Sequence, residues 1–180
     1  MLGSWMIAVG TVLWFIPFVP AKRGSGRLMA VDRRSRWGLL LQVLAIAVML
    51  LGPFWAVTGF SWRVAVSAGF FLLAILLSWT GTRALGAQLR FDAAIGVEHE
   101  LIHSGPYRVI RHPIYGSMLC LLWGMGMIAT PILQFAVATA LFLVGTEIRV
   151  QIEDRLLAER FGDSFQRYRR STPAYIPMIR

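Results

Sequence analysis

Three groups of residues in this chain have types and spacings suited to chemistry. Residues 105–115 read GPYRVIRHPIY: a glycine-proline turn, then a basic Arg111-His112 pair in front of Pro113, Ile114 and Tyr115. Arg149 and Glu153 stand four apart, a spacing that on a helix places both on one face, and Asp154 follows directly. An arginine fork grips an anionic group by bidentate pairing, whereas an acidic pair holds a cation or takes up a proton. As a plain surface pair, Arg149 and Glu153 would contribute only a few tenths of a kcal/mol, and arginine before glutamate is the weaker order. The third group, His99-Glu100-Leu101-Ile102-His103, spells H-E-x-x-H, the pattern of zinc proteases. That chemistry needs both histidines one turn apart on a helix and a third ligand besides. Gly96 precedes the pattern and Ser104-Gly105-Pro106 follows it, leaving under two turns of helix, and the remaining histidine, His112, lies past the break. A zinc protease therefore ranks low.

The elements that must position these residues are apolar. The chain has 180 residues, 57% of them apolar and 15% charged, and no charged residue occurs from Ile114 to Thr146, which marks an integral membrane protein. Five segments are candidates to span: 1–20, 37–57, 62–79, 114–130 and 131–146. A spanning helix needs about 20 apolar residues, with about 17 at the low end, so the last two are short. Thr130-Pro131 breaks them apart, because proline removes a helix hydrogen bond and restricts the residue before it; the expectation is a tight helical hairpin. Residues 1–20 lack a basic start and a small-residue cleavage pattern, so they read as an uncleaved first span. Of the 18 basic residues only Arg63 falls on the far side, which predicts an external N-terminus and a cytoplasmic C-terminus. The net charge of +9 is thus a signal of topology and anionic lipid; no nucleic-acid-binding module accompanies it. The lone Cys120 excludes an internal disulfide and a cysteine metal cluster, and reads as a small buried side chain.

The expected fold is all-α: one membrane domain of five transmembrane helices with a C-terminal cytoplasmic amphipathic helix. Residues 1–80 serve as scaffold and 81–180 as the catalytic half. Residues 81–104 form a cytoplasmic loop long enough to be functional. Residues 147–168 form the amphipathic helix, with Leu157, Phe161, Phe165 and Tyr168 on one face and an interruption at Gly162. Tyr175, Ile176 and Pro177 make an extended lid.

Two separated motifs, at 105–115 and 149–177, occur in this order with an apolar hairpin between them. They resemble the isoprenylcysteine carboxyl methyltransferase family, whose relatives include phospholipid N-methyltransferases, over residues 81–180. The resemblance implies S-adenosylmethionine as cofactor. It carries over His99, Glu100, Leu101, Ile102, Tyr107, His112, Pro113, Ile114, Tyr115 and Glu153 as cofactor contacts, and Arg149 as the residue facing the substrate. Asp154 stands where relatives often have a second glutamate, and Ser117 where many have glycine. No strand followed by G-x-G-x-x-G is present to suggest a Rossmann site. Methyl transfer from a sulfonium is an in-line displacement that asks chiefly for alignment. A carboxylate acceptor is already ionised and needs a cation such as Arg149 to hold it; an amine acceptor must lose a proton, which recruits Glu153 or Asp154. The implied function is a membrane carboxyl O-methyltransferase acting on a lipidic or prenylated substrate drawn from the bilayer of an inner or plasma membrane. The alternatives are a phospholipid N-methyltransferase, the zinc protease and an inactive scaffold.

Overall fold

The computed structural model describes residues 2–19, 28–51, 61–90, 94–96 and 100–176. His99, Pro177 and the far ends of the first two expected spans lie outside them. Five apolar helices make the body: α1 (Leu2–Phe15), α2 (Ser35–Leu50), α3 (Trp62–Leu85), α4 (Pro113–Ala129) and α5 (Ile132–Phe161), followed by a short α6 (Asp163–Ser171). Two stretches, Trp62–Gln88 and Ile132–Phe161, are long and apolar enough to cross a membrane; the other three apolar helices are shorter. Large apolar side chains such as Val12, Leu40, Leu72 and Val144 are exposed along the helices. Trp37 and Trp62, at the starts of α2 and α3, are about two-thirds exposed, as interfacial anchors are.

Local chemistry sets the ends. Asp32 opens α2, its carboxylate accepting from the Arg34 N–H at 2.8 Å and its carbonyl from the Ser35 hydroxyl at 3.0 Å. Pro113 starts α4 at the first helical position, where its missing N–H costs nothing. The break at Thr130-Pro131 is real: both residues are extended and α5 begins afterwards. Gly162, at φ +52°, ends α5 in a left-handed conformation that a side chain would resist, and α6 departs from it.

The all-α expectation holds, with one addition: a small ribbon in which β1 (Leu28–Val31) pairs antiparallel with β2 (Ala94–Gly96), with an irregularity between Leu28 and Ala30. Runs this short, three or four residues among loop signals, carry no readable periodicity. One expectation is corrected, that of the hairpin. Although consecutive, α4 and α5 touch little; α4 packs chiefly on α3, and α5 on α2. Small residues decide this partnership. A Cβ on Gly38 of α2 would come within 2.5 Å of the Gly145 carbonyl, and one on Gly145 within 2.6 Å of the Gly38 carbonyl, so the two backbones are in contact. The buried Gln42 amide donates to Thr146 Oγ1 at 2.8 Å just beside them. On the other pair, the Ser67 hydroxyl of α3 donates to the Gly124 carbonyl of α4 at 2.6 Å. The core between them holds Met49, Phe71, Leu122, Ile128 and Phe142, with Cys120 among its buried members.

Candidate active site

The site forms where the start of α4 meets the polar end of α5. Ahead of α4, Gly105–Arg108 make a 3-10 turn that buries Tyr107, and His112 closes the segment as the N-cap of α4. Along α5, Arg149, Glu153 and Asp154 recur at helical spacing on the face turned towards His112 and Tyr115.

A continuous chain of polar contacts runs across this meeting. Arg111 Nη2 reaches Asp154 Oδ2 at 2.9 Å, and His112 Nε2 lies 3.0 Å from Asp154 Oδ1. The other ring nitrogen, Nδ1, lies 3.3 Å from Glu153 Oε2. Tyr115 donates its hydroxyl to Glu153 Oε1 and accepts from Arg149 Nε at 2.8 Å, while the Arg149 guanidinium also lies 5.2 Å from the centre of the Tyr115 ring. Burial alone would lower the His112 pKa, but hydrogen bonds to Asp154 and Glu153 outweigh it and push the imidazole up to about 9. His112 is therefore an imidazolium at neutral pH, donating from both nitrogens, and serves to hold carboxylates in place rather than to accept protons. Burial raises Tyr107 strongly and Tyr168 to about 12, so both phenols stay protonated.

The chain's last described residues strap this assembly. The Arg111 and His112 N–H groups donate to the Pro173 and Ala174 carbonyls at 2.9 and 2.8 Å. The Arg111 guanidinium also donates to the Arg169 carbonyl at 3.2 Å and to the Thr172 carbonyl. Tyr168 donates to the Tyr107 carbonyl at 2.6 Å, and its ring lies 5.1 Å from that of His103.

In front of the chain of contacts lies a cavity of about 410 Å³. Of the residues expected in a site, Glu100, Leu101, Ile102, Tyr107, His112, Ile114, Tyr115, Arg149 and Glu153 line it. Pro113 and Asp154 do not: Pro113 is fully buried as the helix start, and Asp154 stands behind His112 and Arg111. Residues 100–103 are not helical, so the second half of the H-E-x-x-H pattern lacks the helical turn that pattern requires. Among the described residues no three His, Cys, Asp or Glu side chains gather as a metal would need.

Sequence reasoning missed several walls. Arg111 and Tyr168 line the cavity, as do Gln88, Leu89 and Arg90 beyond the end of α3. On the apolar side stand Trp14 from α1, Phe18 from the 3-10 turn Ile16–Phe18 that follows it, Leu39 from α2 and Met118 from α4. Arg111 stands in the basic pair with His112 but was given no role, and Trp14 and Phe18 are an aromatic pair one turn apart; those were the available signals.

The phospholipid methyltransferase family profile matches residues 62–164, from the start of α3 into α6. A cobalt-zinc-cadmium resistance protein of Cupriavidus metallidurans is 32% identical over 66% of this chain and 62% of its own. A methanethiol S-methyltransferase of Pseudomonas deceptionensis is 25% identical over 93% of this chain and 64% of its own. A protein-S-isoprenylcysteine O-methyltransferase of Arabidopsis thaliana is 30% identical over 45% of this chain and 41% of its own. The chain thus spans less than two thirds of the length of each of these relatives.

Proposed function

The chain belongs to the phospholipid methyltransferase family, and from that premise we propose that it is an integral membrane methyltransferase that uses S-adenosylmethionine to methylate a carboxylate on a lipidic acceptor. The five helices α1 to α5 cross the bilayer, with the N-terminus outside and the cavity, α6 and the C-terminus in the cytoplasm. The ribbon supports this, since it ties the segment after α1 to the segment after α3, two loops that the distribution of arginines places on one side. In a Cys120→Ala background, an impermeant thiol reagent should label Gly26→Cys from the cytoplasmic face and Gly59→Cys from the outer face; labelling of both from one face would refute the topology.

The donors around the cavity suit the cofactor. Glu100 and Glu153 offer carboxylates to its ammonium and sulfonium charges, and Leu101, Ile102 and Tyr107 offer apolar and aromatic surface to its adenosine. When bound, it supplies a methyl group on a positively charged sulfur, already activated for displacement. His112 and Tyr115 fix Glu153 through both its oxygens, so the carboxylate is oriented before any ligand arrives.

The observation that carries the choice of acceptor is the placing of Arg149. Arg149 is buried, seven per cent exposed as a residue; its guanidinium is held by Tyr115, and the residue lines the cavity. Among the described residues the wall also presents Arg90, Arg111 and the charged His112 beside Glu100 and Glu153, with Asp154 behind, a balance that favours an anionic acceptor. A carboxylate, with a pKa of about 3.5, arrives ionised and needs no base. An ammonium would meet like charge and need a base, yet Glu153 has both oxygens engaged. A thiolate is the second reading, favoured by the match of the methanethiol S-methyltransferase along 93% of this chain.

The test is a side-by-side assay with radiolabelled methyl donor on detergent-purified protein, offering N-acetyl-S-farnesylcysteine, an alkanethiol and phosphatidylethanolamine. Base-labile ester label is expected. Thioether label would promote the second reading, and base-stable label in the lipid headgroup would defeat both. Failure to bind the donor at all would remove methyl transfer itself.

A further inference from the structure

Ser117 sits one turn into α4 with no exposure to solvent, and neither of its hydrogen bonds serves the polar chain at the site. Its hydroxyl donates to the Ile114 carbonyl at 2.7 Å and accepts from the Trp14 indole N–H at 3.0 Å. That second bond joins α4 to α1. A tryptophan N–H on an apolar wall needs an acceptor, and here one is supplied at a single position, so the indole has one favoured orientation. Trp14 is further set by Phe18, one turn on, whose ring lies 5.0 Å away, and α1 is held to α3 by the Trp79 indole donating to the Leu13 carbonyl at 3.0 Å.

Trp14 lines the cavity on its apolar side, together with Phe18, Leu39 and Met118, while Arg149, Tyr115 and Glu153 form the polar side. An acceptor whose reacting anion is held at Arg149 must lay its apolar part on the opposite wall. The flat indole, locked by Ser117, is the largest fixed surface there. We propose that Trp14, pinned by Ser117, is a specificity-determining residue that limits the length of the apolar chain an acceptor carries. The proposal rests on the cavity being the methyl-transfer site described above.

The test uses N-acetylcysteines bearing S-prenyl, S-geranyl and S-farnesyl chains, assayed for methyl transfer and, separately, for binding by calorimetry. Trp14→Ala should raise the farnesyl-to-prenyl ratio of kcat/KM at least about tenfold, since pocket contacts of even one methylene are worth about 10–200-fold. Ser117→Ala and Trp14→Phe should shift it the same way by less, and the double variant Trp14→Phe/Ser117→Ala should shift no further than either alone, because both remove one hydrogen bond. S-adenosylmethionine affinity should hold in all four. An unchanged chain-length profile in Trp14→Ala, with cofactor affinity intact, would overturn the proposal, as would absence of binding by every member of the series. If the series binds but no member is methylated, the carboxylate reading falls, and the ratio of binding constants across the variants still decides the role of Trp14.

Discussion

The two ends of α4 each meet an arginine, and they use it differently. At the far end Arg63 donates to the Thr130 carbonyl at 3.1 Å, satisfying the backbone just where α4 stops. At the near end Arg149 bonds a side chain, the Tyr115 hydroxyl, which is itself bonded to Glu153, and the group faces a cavity. The far end also has a hollow, beside Trp62, Arg63 and Pro131, but among the described residues no acidic side chain lines it. The difference is one of chemistry. A guanidinium bonded to a backbone carbonyl finishes a helix, whereas one bonded to an oriented side chain beside a cavity is placed to meet a ligand.

The largest expected effect tests the near end. Arg149→Lys keeps the charge but loses the fork, and should lower kcat/KM for the carboxylate acceptor by about ten- to a hundredfold with cofactor affinity retained. Arg63→Lys, measured in the same assay, should leave turnover within about twofold. Equal losses in the two variants would erase the distinction between the ends.

A middle-sized effect sharpens it. Asp154→Asn removes the carboxylate that anchors Arg111 and His112, and should weaken cofactor binding through a slackened Glu153. It should also bring the His112 titration, followed by NMR, down from about 9 towards the ordinary histidine range. The linkage has a definite sign. A pKa raised in the folded state stabilises fully below the unfolded value of about 6.5, and the benefit disappears as pH rises through about 9. Thermal stability in detergent should therefore decline between pH 7 and 10, and His112→Gln should flatten that decline. An unchanged slope in His112→Gln would show that the imidazole is not held charged. The smallest effect belongs to the far end: Arg63→Ala should cost about 1 kcal/mol of stability and no specificity.

Much of this was legible in the sequence, because the signals were local. The uncharged run from Ile114 to Thr146, the proline at 131 and the glycine at 162 mark helix limits by their own chemistry, and the structure breaks the chain at Thr130-Pro131 and Gly162. Arg149, Glu153, Tyr115 and His112 come together because helical spacing on α5 and the fixed start of α4 leave few other arrangements. What was not legible depended on which helices choose one another. The pairing of α5 with α2 rests on Gly38 meeting Gly145, and glycines are too common in apolar helices to advertise a partner. For the same reason Leu39 and Met118 gave no sign of facing the cavity, since an apolar residue reads alike whether it meets lipid or ligand. Asp154 was grouped with Glu153 by adjacency, yet neighbouring residues on a helix diverge by about 100°, which puts one in front of His112 and the other behind.

The unbroken course of α5 has a mechanical side. No hinge separates Ile132 from Phe161, so Arg149 stands 17 residues along a rigid rod, about 26 Å from its far end. A bilayer's apolar core measures about 30 Å, and lipids adjust to a short span by thinning around it or letting its charges reach up to the headgroups. In the proposed topology, lipid thickness then becomes a setting of the site: a thin membrane lifts the guanidinium towards water, and a thick one draws it down among the acyl chains.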